Sequence, residues 1–85
     1  MYQIVFSRKA AKSFQRVPHN VGERIREKLA QIADDPFAKH PNTAKLQGRP
    51  GYRLRVGDWR VIYEIQQEEL VMMVIKIASR GEVYR

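Results

Sequence analysis

The stretch "YRLRVGDWRVIYEI" constrains the fold more than any other part of the chain, because Gly57-Asp58 leaves two strand-like runs joined by only two residues. Glycine at the first central position suits a type II′ hairpin turn, and so short a connection fixes the register of both strands. Val56 then faces Trp59, Arg55 faces Arg60, Leu54 faces Val61 and Arg53 faces Ile62. Side chains alternate across a strand, so Tyr52, Leu54, Val56, Trp59, Val61, Tyr63 and Ile65 share a core face. Arg53, Arg55 and Arg60 share the other. Like charges directly opposite one another are disfavoured by roughly 0.2–1 kcal/mol. Folding alone therefore gives no reason for the pair. A phosphate held between two guanidinium forks turns that repulsion into attraction, since the planar donors match phosphate oxygens. The plainer alternative is that water separates the arginines, or that Glu64 or Glu82 pairs with them.

The remaining segments supply what such a hairpin must pack against. "YQIVF" reads as a first strand that stops at Ser7, a residue suited to cap a helix. In the segment after it, Ala10, Phe14 and Val17 follow helical spacing up to Pro18. Val21, Ile25, Leu29 and Ile32 then form the stripe of a second amphipathic helix, closed by Asp34-Asp35-Pro36. Its charges, Glu23, Arg24, Arg26, Glu27 and Lys28, are of mixed sign and read as a solvated face. "FAKHPNTAKLQGRP" shows no period and reads as a long connection. Gln66 to Glu69 make a second reversal before "LVMMVIKIA", whose register stays open because nearly every position is apolar. The expected fold class is α+β in the order β-α-α-β-β-β. It is a small antiparallel-rich sheet with a two-helix hairpin packed on one face and the other face open.

Length limits the chain to one domain, 1–85, since 85 residues supply one core. A net charge of +7 exceeds what solubility needs and favours a polyanionic partner, with nucleic acid leading and an acidic protein as the alternative. The absence of cysteine excludes disulfides, thiolate metal sites and cysteine nucleophiles. No apolar run is long enough to span a bilayer and the N-terminal apolar stretch is too short for a signal peptide, so a cytoplasmic location and no membrane partner are expected. His19 and His40 lack partners at metal-ligand spacing, and neither a metal site nor a cofactor is expected. His40 reads as a solvated loop residue.

The hairpin pattern, with "KLQG" before it, "LVMMVIKIASR" after it and "EVYR" at the end, resembles the RelE/ParE superfamily of toxins from bacterial toxin–antitoxin pairs. With the helical hairpin, the resemblance covers nearly the whole chain. It implies a ribosome-dependent endoribonuclease, an mRNA interferase, that cleaves mRNA in the A site without a metal. The RNA 2′-hydroxyl would attack the adjacent phosphate, leaving a 2′,3′-cyclic phosphate and a 5′-hydroxyl. Carried over by position, Arg55, Arg60, Arg80 and Tyr84 are the expected catalytic residues. Arg53 matches the other member of the basic pair on the first central strand, and Lys45, Arg49 and Arg85 are further phosphate-binding candidates. Tyr84, with an ordinary pKa of about 10, acts as a base only if neighbouring arginines favour its phenolate. Arginine itself cannot serve as the base. The implied partners are the ribosome, mRNA and a cognate antitoxin, which would mask the basic face in a toxin–antitoxin hetero-oligomer. Two alternatives stay open: a ParE-like inhibitor of DNA gyrase that cuts nothing, and a non-catalytic nucleic-acid-binding module.

Overall fold

The computed structural model describes residues 1–79, with the Gly57-Asp58 hairpin at the centre of the sheet. β3 (Tyr52–Val56) and β4 (Trp59–Gln66) pair antiparallel in the expected register, Arg55 opposite Arg60. Gly57 takes φ 58° while Asp58 keeps a negative φ, as a type II′ turn requires. β5 (Val71–Ser79) lies antiparallel on the far side of β4. β1 (Gln3–Phe6) runs parallel to β5, so the sheet is mixed. The aperiodic stretch 37–50 departs from the plain connection expected of it. Thr43–Lys45 forms β2, an edge strand against β3 that is too short for alternation to show in the sequence. Among the described residues the strand order is β1-β5-β4-β3-β2.

Both expected helices cover one face of this sheet. Ser7 caps α1 (Arg8–Phe14), its Oγ accepting the Ala10 N–H at 3.0 Å. α2 (His19–Asp34) buries Ile25, Leu29 and Ile32 on its apolar stripe, with Gly22 beside Phe14. These side chains meet Leu54, Val56, Val61, Tyr63, Met72, Val74 and Ile77 in one core. Arg26 is exposed on the solvated face expected of it, and its guanidinium also lies 4.9 Å from the centre of the Phe14 ring, a cation–π contact.

The open register of β5 is resolved by a bulge. Pairing with β4 passes from Ile62 opposite Lys76 to Tyr63 opposite Val74, which leaves Ile75 as the extra residue. Ile77, Val74 and Met72 consequently all reach the core, a spacing that strict alternation forbids. The Ser7 hydroxyl donates to the Ile75 carbonyl at 2.8 Å and so ties the bulge to the start of α1.

Candidate nucleic-acid interface

Opposite pairs in the sheet place side chains in rows across the face turned away from the helices. One row runs Ala44, Arg53, Ile62, Lys76, and the next runs Arg55, Arg60, Ala78. The Arg55 backbone N–H donates outward to the Asn42 carbonyl at 2.9 Å, not toward Arg60. Arg55 and Arg60 therefore form the non-hydrogen-bonded type of pair, in which side chains stand closest.

Arg60 resolves the crowding in a way that face assignment did not anticipate. Only 7% of it is exposed, and its Nη1 donates to the carbonyls of Gly57 and Trp59, both at 3.1 Å. The guanidinium is turned down onto the hairpin turn, while Arg55 projects into solvent. Arg53 is half-buried beside Ile62. Glu64 lies on the same face, opposite Met73, and among the described residues forms no ion pair with Arg55 or Arg60. The other expected partner, Glu82, lies outside the described residues.

The other sequence candidates separate. Lys45 is directly opposite Tyr52, on the helix-covered side of the sheet, and so stands on the face opposite to Arg53 and Arg55. It lines a small pocket of about 140 Å³ with Phe37, His40, Tyr52 and Tyr63. Arg49 is exposed in the loop between β2 and β3. Arg80, Glu82, Tyr84 and Arg85 lie outside the described residues. His40 is anchored in its loop, its Nε2 2.7 Å from the Asp35 carbonyl, and does not reach the arginine face. Tyr63 stacks on Tyr52 with ring centres 5.4 Å apart, and burial, with a smaller contribution from Tyr52, pushes its phenol up to about 12. That places Tyr63 in the core as a neutral, structural phenol rather than a base.

Sequence reasoning missed Lys76. The register of β5 puts it on the arginine face, half-buried and directly across from Ile62. The only sequence signal was a lone charge in an apolar strand, a position that alternation alone could have assigned to either face. Together these residues form a strip of cations across three strands, suited to a polyanion.

Comparison with known proteins agrees with this architecture. Residues 4–84 match the family model described as the ParE toxin of type II toxin-antitoxin system, parDE. The mRNA interferase toxin RelE of Escherichia coli (strain K12) is 28% identical over 88 residues, covering 98% of this chain and 90% of that protein. A putative RelE-like toxin protein of Escherichia coli is 30% identical with the same coverage. Among solved structures, the isolated E. coli RelE toxin superposes with a TM-score of 0.82 at 28% identity, covering 99% of this chain and 92% of that one. A chain of the archaeal RelE-RelB complex from Pyrococcus horikoshii OT3 gives 0.80 at 27% identity, covering 95% and 97%.

Proposed function

From the premise that this chain belongs to the ParE toxin family, within the RelE/ParE superfamily of toxin–antitoxin toxins, we propose that it is an endoribonuclease that cuts mRNA in the ribosomal A site. The observation that carries the reading is the Arg55–Arg60 pair, two guanidinium groups on facing strands with no carboxylate bound to either among the described residues. The curated relatives matched over 98% of the chain, named as mRNA interferases, support the same chemistry. The RNA 2′-oxygen attacks the neighbouring phosphorus as the bond to the 5′-oxygen breaks, and the products are a 2′,3′-cyclic phosphate and a 5′-hydroxyl. Arg55 and Arg80 stabilise the charge that gathers on the phosphate oxygens, Arg60 joins them once its guanidinium swings off the Gly57 and Trp59 carbonyls, and Arg53 holds the backbone beside them. Tyr84, as its phenolate, takes the 2′ proton, and water supplies the proton that the departing 5′-oxygen gains. The nucleophile belongs to the substrate and guanidinium groups carry the charge, so the proposed reaction needs no metal ion. Arg49 and Arg85 remain auxiliary phosphate contacts in this reading, whereas the position of Lys45 removes it.

A cytoplasmic location follows from the ribosomal substrate, and no helix among the described residues is long and apolar enough to cross a membrane. The regulatory partner is an antitoxin, as in the RelB-RelE complexes this fold resembles. An open groove of about 560 Å³ between α1, α2 and β1, lined by Ile4, Phe6, Phe14 and Leu29 with Arg26 among them, suits an amphipathic acidic segment of it. Binding DNA gyrase is the second reading, favoured by the ParE description of the family model.

Mapping mRNA 5′ ends in a translation extract tests the nuclease. The parent should generate new 5′-hydroxyl ends within codons, and Arg55→Ala or Tyr84→Phe should lower the cleavage rate by about 100-fold or more. A parent that produces no new ends but blocks gyrase supercoiling would establish the second reading instead.

A further inference from the structure

Lys76 has no part in the chemistry above. It is half-buried, and it has neither a hydrogen bond nor an ion pair to any described residue. The acid on its face, Glu64, sits beyond the bulge opposite Met73 and does not reach it. Desolvating an ammonium without a partner is unfavourable, so a cation in this position calls for an external anion. Its place in the sheet says where that anion runs. Lys76 on β5 and Arg53 on β3 occupy one row with Ile62 between them, about 10 Å apart from strand spacing. Ile62 is only 6% exposed, so at this row β4 offers a dry floor between the two cationic strands. A water-excluding floor strengthens charge interactions above it.

We infer that Lys76 is an RNA-contacting residue, the far bank of a phosphate track that runs along β4 with Arg53 and Arg55 on the near bank. The inference rests on the proposed RNA substrate and adds to it the path of the strand. Arg55 and Arg53 follow one another along one bank. Lys76 holds the opposite bank level with Arg53, one row further from the hairpin turn than the Arg55–Arg60 pair. The bound strand is thereby aligned with β4 rather than crossing it. The plain alternative is that the lysine stem merely covers Ile62 while its head meets water.

The two are separated by Lys76→Met, which keeps an apolar stem and removes the charge. Binding of a short single-stranded RNA oligonucleotide is measured across a salt series for the full-length parent, Lys76→Met, Lys76→Arg and, as control, Lys9→Met on the exposed side of α1. Each lost phosphate contact should reduce the slope of log affinity against log salt by about 0.7. Lys76→Met should show that loss, Lys76→Arg should retain the parental slope, and Lys9→Met should match the parent. A parental slope in Lys76→Met overturns the inference, as does a parent with no salt-dependent binding. End mapping in the translation extract judges the nuclease reading independently of either result.

Discussion

Replacing Arg60 by methionine tests whether the buried guanidinium holds the hairpin or strains it. Two opposing effects act at this position. The side chain donates from one charged nitrogen to two turn carbonyls, at 3.1 Å each, and hydrogen bonds from charged donors contribute about 1.5–3 kcal/mol. Both acceptors belong to the turn, where water can replace the donor, so the lower end of that range applies. Against this stands repulsion from Arg55 in the close, non-hydrogen-bonded pair, about 0.2–1 kcal/mol. The hydrogen bonds win, and Arg60→Met should lower stability by about 1 kcal/mol. With a urea m-value of about 1 kcal/mol/M for a small domain, the denaturation midpoint falls by about 1 M. Arg55→Gln should instead raise stability by up to about 1 kcal/mol, because it removes the repulsion without touching the carbonyl contacts. In the double variant the loss from Arg60→Met should exceed its value in the parent, since no repulsion remains to be relieved. Urea melts of the four proteins measure each quantity. An Arg60→Met protein at least as stable as the parent would refute the reasoning, because repulsion would then outweigh the contacts to the turn.

Ser7→Ala removes both the cap on Ala10 N–H and the donor to Ile75, and should destabilise by about 1–2 kcal/mol in the same melts, with Ser7→Thr recovering most of the loss. Tyr63 has a folded-state pKa raised from 10 to about 12, so its contribution is complete below pH 10 and disappears as pH rises through 12. That contribution is about 3 kcal/mol, and alkaline titration followed by circular dichroism should show it in the parent and lose it in Tyr63→Phe.

What the sequence revealed and what it concealed divide along the range of the interactions. The hairpin register, the Ser7 cap and the α2 stripe depend on neighbours within a few residues, so turn chemistry and periodicity specify them. The pairing of Arg55 with Arg60 was legible for the same reason. The edge strand Thr43–Lys45 was not, because three residues carry no period, and its pairing with β3 sends Lys45 to the side away from the arginines. The direction of the Arg60 side chain was hidden as well. Alternation assigns a face, but carbonyls of the turn decide whether a guanidinium on that face reaches solvent or folds back.

The bulge at Ile75 shows why the candidate site could not be completed from local pattern. Strict alternation outward from Ile77 would send Ile75, Met73 and Val71 into the core and expel Val74 and Met72, the residues that face Phe6 and Ile4 across the parallel strand. One extra residue lets Ile77, Val74 and Met72 all point inward while Lys76 stays on the arginine face. The bulge carbonyl needs a donor, and it receives one from Ser7, 68 positions away in sequence. The start of α1, the packing of β1 on β5 and the side on which Lys76 emerges are therefore one arrangement. A change at the helix cap acts on the bulge, and through the bulge on the cationic strip itself.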